Sequence, residues 1–417
     1  PGGSAELGTN THRVYRHDLV GAQDPEGLYA RMDRFLDLCA KHGVRPSFVF
    51  FDDCHAPDPA LGEQPLPVPG YPNSGWVNSP ARELAVRYSQ GHATPAEITN
   101  LQGYIQGTLA RFADDDRVLM WELYNEPGRG RLAVADGGAM GDHSNQRLLD
   151  AWAWAREVLP SQPICSTSLG SLGPRNIAIG DANSDIMSFH GYGPAASFTG
   201  RINTTRIAAP GRPIICTEYM ARTAGSTFEA ILPILHRERI GAINWGFVAG
   251  KSGTIWPWSS RQGIDVDAER AAGNVTASIA DLPEPDLWFH DVLRPDGTPY
   301  HAAETDLIKR LTGVAENDLA TVRASLAAHD RAVHIHDQWI RDPYIYLHDD
   351  GYYYLTGTTL MNEADKTVTI SLWRSLDLAD WEKLPHRWEF GDATWSDLEQ
   401  PVKHHTGQLL VWAPELY

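Results

Sequence analysis

Val118-Leu-Met-Trp-Glu-Leu-Tyr-Asn-Glu-Pro-Gly128 is an apolar run that stops at an Asn-Glu pair. A short apolar stretch closed by Pro-Gly reads as a buried strand. Further on, Pro213-Ile-Ile-Cys-Thr-Glu218 repeats the pattern, an apolar run ending on a glutamate. Each carboxyl group therefore stands where a strand opens into a loop.

Outward from these two runs, residues 12 to about 312 alternate between apolar and helical patterns. The apolar runs are His12–His17, Arg45–Asp52, Val118–Asn125, Pro163–Gly170, Asp185–Gly193, Pro213–Glu218 and Ile240–Val248. Helical patterns follow at Pro25–His42, Pro95–Phe112, Ser144–Val158, Ser197–Ile207, Ser226–Arg237 and Ala302–Thr312. Proline opens the first two, as suits a first helical turn, and Gly43 closes the first. Strands alternating with helices predict an α/β fold with a parallel sheet. This many units make a (β/α)8 TIM barrel the default.

The runs number seven, one short of a closed barrel. Residues 250–294, rich in Gly, Trp and Pro, read as a loop excursion, and the stretch before His12 is too short for a strand plus a helix. Either the excursion hides a strand, or the first strand and most of its helix are absent from this chain. We expect the second; the chain opens on Pro1-Gly2-Gly3 without an initiator Met, as a fragment would, so the lack of a signal peptide carries little weight.

Residues 54–93 read as a long proline-rich loop, with Trp76 a candidate sugar platform or a packing residue. Past residue 313 the texture changes to short β-rich runs without helices between them: Trp339–Leu347, Tyr352–Thr359, Val368–Ser375, Trp381–Leu384 and Gln408–Trp412. Asp349-Asp-Gly351 is a hairpin signal between the first two. The expected layout is a barrel over 1–313, a linker over 314–335 and a truncated, propeller-like all-β segment over 336–417.

Composition narrows the partners. Asp and Glu number 53 against 35 Lys and Arg, a formal net charge of -18. That argues against nucleic acid and anionic membrane as partners, and a neutral polysaccharide tolerates it. No apolar run approaches the ~20 residues of a membrane span. Cys39, Cys54, Cys165 and Cys216 are too few and scattered for a disulfide framework, and Cys165 and Cys216 read as small buried hydrophobes. No metal or cofactor is expected. His334-Ile-His336-Asp337 and His404-His405 could act as ligands, but no His-Glu-x-x-His or Cys-x-x-Cys pattern is present. Gly250-Lys-Ser-Gly253 lacks the spacing of a phosphate loop. Nothing in the sequence sets an oligomeric state.

Two glutamates at the ends of non-adjacent barrel strands can face each other across the mouth. A pair of carboxyl groups ~5–5.5 Å apart is what retaining glycoside hydrolysis needs. Glu126 is assigned as acid/base and Glu218 as nucleophile, with Asn125 on the sugar 2-hydroxyl. His17-Asp18 and Asp52-Asp53 also end strands and are candidates for sugar hydroxyls. Trp121 and Tyr124 read as barrel packing, and Trp256 and Trp258 as platforms or packing.

Trp121-Glu-Leu-Tyr-Asn-Glu-Pro127 resembles the acid/base strand of the clan A (β/α)8 glycoside hydrolases, which include family 5 cellulases, mannanases and many β-glycosidases. The resemblance covers about 300 residues. In that clan the acid/base lies on strand four and the nucleophile on strand seven. Two visible strands before Glu126, where three are expected, fit a missing first strand. Asn10-Thr-His-Arg13 resembles the motif whose Arg supports the nucleophile. Ser188-Phe-His-Gly-Tyr192 resembles the motif whose Tyr hydrogen-bonds the nucleophile and whose His lines the pocket. Ile243-Asn-Trp245 resembles the motif whose Trp floors the sugar subsite. The resemblance thus implies a glycosidase binding an oligo- or polysaccharide such as xylan, mannan or β-glucan. Arg13, His17, Asn125, His190, Tyr192 and Trp245 are its binding candidates. It also implies a secreted or periplasmic protein. The rival reading is a sugar-binding pseudo-enzyme.

In the tail, Arg341-Asp-Pro-Tyr-Ile345, Gly351-Tyr-Tyr-Tyr-Leu-Thr-Gly357 and Leu372–Trp381 resemble the opening blade of family 43 propeller glycosidases. Asp342 matches their general base. Val411-Trp-Ala-Pro-Glu415 resembles the motif that tunes their acid, with Glu415 where Asp is usual.

Overall fold

The computed structural model describes residues 2–56, 58–129, 141–276, 283–314, 340–348, 350–359, 370–376, 378 and 381–385. The chain divides into two compact units, Pro1–Ala315 and Glu316–Tyr417. The expected linker, apart from Val314, lies outside the described residues.

The first unit is an α/β structure built on parallel strands. Arg13–Tyr15, Ser47–Asp52, Met120–Asn125 and Ile164–Cys165 pair in that order, all parallel. Thr167–Leu169, Met187–His190, Ile214–Glu218 and Gly241–Ala242 form a second parallel set. Only Ser166 separates Ile164–Cys165 from Thr167–Leu169, so both sets belong to one arc of seven strands, at the seven apolar runs of the sequence.

Strand pleating sorts the side chains. Met120 packs with Cys165 and Ile215 on the inside of the arc, and Glu122 is also buried there. Trp121 and Leu123, on the alternate face, join the layer formed with the outer helices. Cys165 and Cys216 are buried, as their apolar runs suggested.

The helices start where side chains can satisfy free backbone N–H groups. Pro25–Lys41 begins at Asp24, whose carboxylate accepts from Gly27 N at 2.9 Å. Pro95–Arg111 opens with a capping box between Thr94 and Glu97. Gly43, at φ 69°, ends the first of these as its left-handed C-cap position demands. Asn145–Val158, Ala195–Ala208, Phe228–Arg237 and Ala302–Leu311 fall at the other helical patterns.

Several helices were not legible. Arg82–Ser89 lies inside the stretch read as one long loop, and buries only Ala85 and Tyr88. Pro174–Asn183 follows Gly173 in a segment whose Gly and Pro read as punctuation. Asp18–Gln23 and Val266–Ala271 are too short to show a period. The excursion at 250–294 contains no strand among its described residues.

Among the described residues, no ladder joins Gly241–Ala242 to Arg13–Tyr15. A cavity of about 690 Å3 lies along this seam, lined by Asn10, His12, Ala242, Asn244 and Phe247 among others. Side chains bridge it: the His12 ring meets Phe247 edge-on at 5.8 Å, and Arg13 reaches Glu218 at 2.6 Å. The arc is therefore curled into a barrel-like ring, with the two glutamate strand ends at one mouth.

The second unit contains a four-stranded antiparallel meander: Ile340–Leu347, Tyr353–Thr359, Leu372–Ser375 and Glu382–Leu384, paired in sequence order. Leu355 and Trp373 are buried. The run Gln408–Trp412 lies outside the described residues.

Candidate active site

Glu218 ends its strand in a net of donors. Arg13 Nη1 donates to Oε1 at 2.6 Å, Tyr15 OH to the same oxygen at 3.2 Å, and Tyr192 OH to Oε2 at 2.5 Å. Arg13 is held by Glu122, at 2.7 Å from Nε and Nη2, and donates to Asn125 Oδ1 at 2.7 Å. Thr167 fixes Glu122 in turn at 2.8 Å. Burial opposes the Arg13 charge, but Glu122, Tyr15 and Glu218 outweigh it and hold the guanidinium firmly protonated. Burial, then the Glu218 charge, push the Tyr192 phenol well above its ordinary range, so it remains a donor.

Glu126 has different company. His190 Nδ1 lies 2.7 Å from Oε1, Cys54 Sγ donates to Oε2 at 3.1 Å, and Arg129 Nε stands 3.3 Å from Oε2. Burial pushes its carboxyl up. The His190 hydrogen bond and charge, then Arg129, outweigh that and hold it below the usual carboxylate range. Glu126 sits at φ 41°, an uncommon conformation for a non-glycine residue, at the point where its carboxyl is aimed. Met220, two residues past Glu218, is left-handed too, at φ 84°.

His190 joins the two ends, since Nδ1 also lies 3.3 Å from Glu218 Oε2. Ligand atoms of Glu126, His190 and Glu218 fall within 4.8 Å of one another, so the carboxylates face each other closely. These three side chains could hold a metal ion. Arg13 on Glu218 and Arg129 near Glu126 already place positive charge there, which opposes a further cation.

The surrounding pocket has a cavity volume of about 450 Å3. One wall is aromatic: the His55 ring stacks on Trp245 at 5.6 Å and on Trp76 at 5.5 Å, with Tyr15 edge-on to both tryptophans. His55 is oriented by Asp52 at 2.7 Å, and that carboxylate, against the opposing effect of burial, raises the imidazole above its usual range. Trp258 lines the opposite side, packed edge-on against Tyr192 at 5.0 Å.

Glu126, Glu218, Asn125, His190, Tyr192 and Trp245 all line this pocket. Arg13 lies beneath it, bound wholly by protein groups, and so acts through Glu218 and not on a ligand. Asn125 shares its polar atoms with Arg13 and Asp52. His17 is a correction. Its Nδ1 accepts from Leu19 N at 3.2 Å as a helix cap, and its Nε2 bonds Asn78 O at 2.7 Å, so it faces a neighbouring cavity. Asp18 is tied to Ser79. Asp53 is consumed by Arg147, Tyr124, Ser144 and the Gly128 N–H, bracing the loop after Glu126. Trp256 is buried in a small cluster with Ile255 and Trp288, away from the pocket.

Tyr15, Cys54, His55, Asn73, Arg129, Arg201 and Arg261 were not singled out from the sequence. Tyr15 lies two residues after Arg13 on one strand, and the period of two was the available signal for it. Asp342 falls on the Ile340–Leu347 strand; its side chain, Glu415 and the histidines at 334, 336, 404 and 405 lie outside the described residues.

No protein-family model and no curated protein matches the chain. Solved structures are similar to it at low identity. A glycoside hydrolase family 5 mannosidase from Rhizomucor miehei is 12% identical with TM-score 0.44, over 75% of this chain and 85% of that one. GH5_18 from Streptomyces cattleya, in complex with GlcNAc, is 14% identical with TM-score 0.45, over 74% and 73%. An exo-beta-1,4-mannosidase from Opitutaceae bacterium strain TAV5 is 18% identical with TM-score 0.45, over 75% of this chain and 54% of that one.

Proposed function

We propose that this protein is a retaining β-glycoside hydrolase working by double displacement on an oligo- or polysaccharide. The observation that carries this is the approach of one carboxylate oxygen of Glu126 and one of Glu218 to within 4.8 Å. That spacing suits direct attack on the anomeric carbon; an inverting pair stands ~6.5–9.5 Å apart to admit a water.

In the first step a Glu218 oxygen bonds the anomeric carbon as the glycosidic C–O bond breaks and Glu126 gives its proton to the leaving oxygen. In the second, Glu126 takes a proton from water, whose oxygen displaces Glu218 and releases the sugar. As an acid Glu126 must first be protonated, although His190 and Arg129 hold its carboxyl low. A sugar ring in the pocket displaces water and adds to the burial that already raises it. Trp245, backed by Trp76, supplies an apolar face for such a ring.

The meander of the second unit is proposed as one blade of a family 43-like propeller, with Asp342 its general base; its strands paired in sequence order support this.

The test is hydrolysis of a panel of aryl β-glycosides, with the anomeric configuration of the first-formed product followed by NMR. Retention is expected. An inverted product, or no cleavage of any member while sugar still binds, overturns the proposal, the latter in favour of a binding protein.

A further inference from the structure

From the arginines that line this pocket, we infer that the ligand is an anionic sugar, one carrying a carboxylate as a uronic acid does. This deepens the hydrolase reading and rests on the same pocket.

Three arginines from three separate segments reach this cavity. Arg129 comes from the loop after Glu126, Arg201 from the Ala195–Ala208 helix, and Arg261 from the short turn Trp258–Arg261. No acid other than Glu126 and Glu218 lines the pocket among the described residues. Those two carboxylates are already served by Arg13, Tyr192, His190 and Cys54. Only Arg129 comes near one of them, through its Nε.

Among the described residues the guanidinium ends have few other partners. Arg129 Nε donates to Gly170 O at 2.7 Å, which orients the group, and its two Nη atoms have no hydrogen-bond partner among the described residues. Arg201 makes one long bond, Nη1 to Leu169 O at 3.5 Å. Arg261 is exposed, and its side chain bonds no described residue. Elsewhere on this surface arginines find acids: Arg111 pairs with Asp33 at 2.6 Å, Arg156 with Asp185 at 2.8 Å and Arg206 with Glu238 at 2.8 Å. In a chain of net charge -18, three arginines at one pocket, of which only Arg129 has an acid near it among the described residues, form a local inversion of sign. A neutral sugar would not use it. A carboxylate would, because guanidinium presents paired donors that fit its two oxygens.

Binding of free sugars separates this inference from catalysis, since none of the three monosaccharides used has a glycosidic bond to cleave. The full chain is titrated calorimetrically with D-glucuronate, D-glucose and D-glucose 6-sulfate. Glucuronate is expected to bind at least about tenfold more tightly than glucose, with an advantage that shrinks as salt rises. Arg201→Ala combined with Arg261→Ala should remove most of that advantage, lowering glucuronate affinity far more than glucose affinity. Equal affinities, undetectable glucuronate binding, or an advantage that survives the double change overturns the inference. Binding of the sulfate alone overturns the carboxylate assignment. If neutral aryl glycosides are cleaved but glucuronate has no advantage, the hydrolase stands and the anionic ligand falls. If glucuronate binds through the arginines but no glycoside is cleaved, the reverse holds.

Discussion

The ends of the Met120–Asn125 and Ile214–Glu218 strands present the same side chain to the same pocket in opposite electrostatic settings. Glu218 accepts from a guanidinium and two phenols, all strong donors fixed by further buried groups. Glu126 has an imidazole, a thiol and a more exposed arginine, partners that are weaker or more mobile. A nucleophile needs a constant charge in a fixed place. An acid/base must gain and lose a proton each turnover, so its partners must tolerate both forms. The difference in surroundings, more than the shared residue type, distinguishes the proposed roles.

Truncation sets the two ends against each other most sharply. Glu218→Ala should cut kcat/KM by at least ~10⁴-fold on every substrate, since no covalent intermediate can form. Glu126→Ala should cost ~10²–10⁴-fold on substrates with poor leaving groups, and far less bond-breaking rate on activated aryl glycosides that need no proton. Steady-state kinetics on a series of aryl glycosides of varied leaving-group pKa measures both. Equal sensitivity to leaving group in the two variants would erase the distinction.

The donors around Glu218 come next. Tyr192→Phe removes one fixed hydrogen bond and keeps the ring that packs on Trp258 and His290. A loss of ~10²-fold in kcat is expected, with unchanged thermal unfolding. Wild-type kcat in this variant would show that Arg13 and Tyr15 suffice.

How far the site was legible follows from the same contrast. The two strand ends were readable because an apolar run that stops at a charged residue marks both the strand and its exit. Arg13, His190, Tyr192 and Trp245 were placed by motif, and they sit close around that pair. His17 misled, because a histidine at a strand end looks the same whether it faces a ligand or caps the helix that follows; only the course of Asp18–Gln23 decides. Cys54 and His55 lie in a loop, where no period tells which way a side chain points. Arg201 was hidden for another reason. On a helix it reads as ordinary solvated charge, and its place on the pocket wall depends on how that helix packs. The seven strands could be counted from the sequence, whereas Arg82–Ser89 could not, as it buries too little to leave an apolar stripe.

His190 tests the pH side of the comparison. Burial alone would raise the Glu126 carboxyl, and the His190 hydrogen bond is the largest influence holding it down. His190→Asn should therefore move the carboxyl up. Because Glu126 must be protonated as the acid, activity on poor leaving groups is lost as pH rises through its pKa. The alkaline limb of kcat/KM should accordingly shift to higher pH in the variant. A pH–rate profile checks this, and a limb that stays fixed or moves down would remove His190 as the residue that sets the acid.

Cys54 gives the smallest effect and the most direct probe of the Glu126 end. Its residue faces the pocket, yet the mass of protein around the thiol, then the charge of Glu126, push it well above its ordinary range. It is therefore a thiol and a donor to Glu126, and the thiolate that reacts with alkylating agents is scarce. Two results should follow. Iodoacetamide should modify Cys54 in the folded protein far more slowly than a free cysteine at the same pH, as peptide mass spectrometry can follow. Glu126→Gln removes the neighbouring charge and should speed that reaction. Cys54→Ser keeps a donor of similar shape and should change kcat by no more than roughly 2–10-fold, the worth of one neutral hydrogen bond. Rapid alkylation in the wild type that Glu126→Gln does not accelerate would mean the thiol is not coupled to the acid. The two strand ends would then differ only in the strength of their fixed donors.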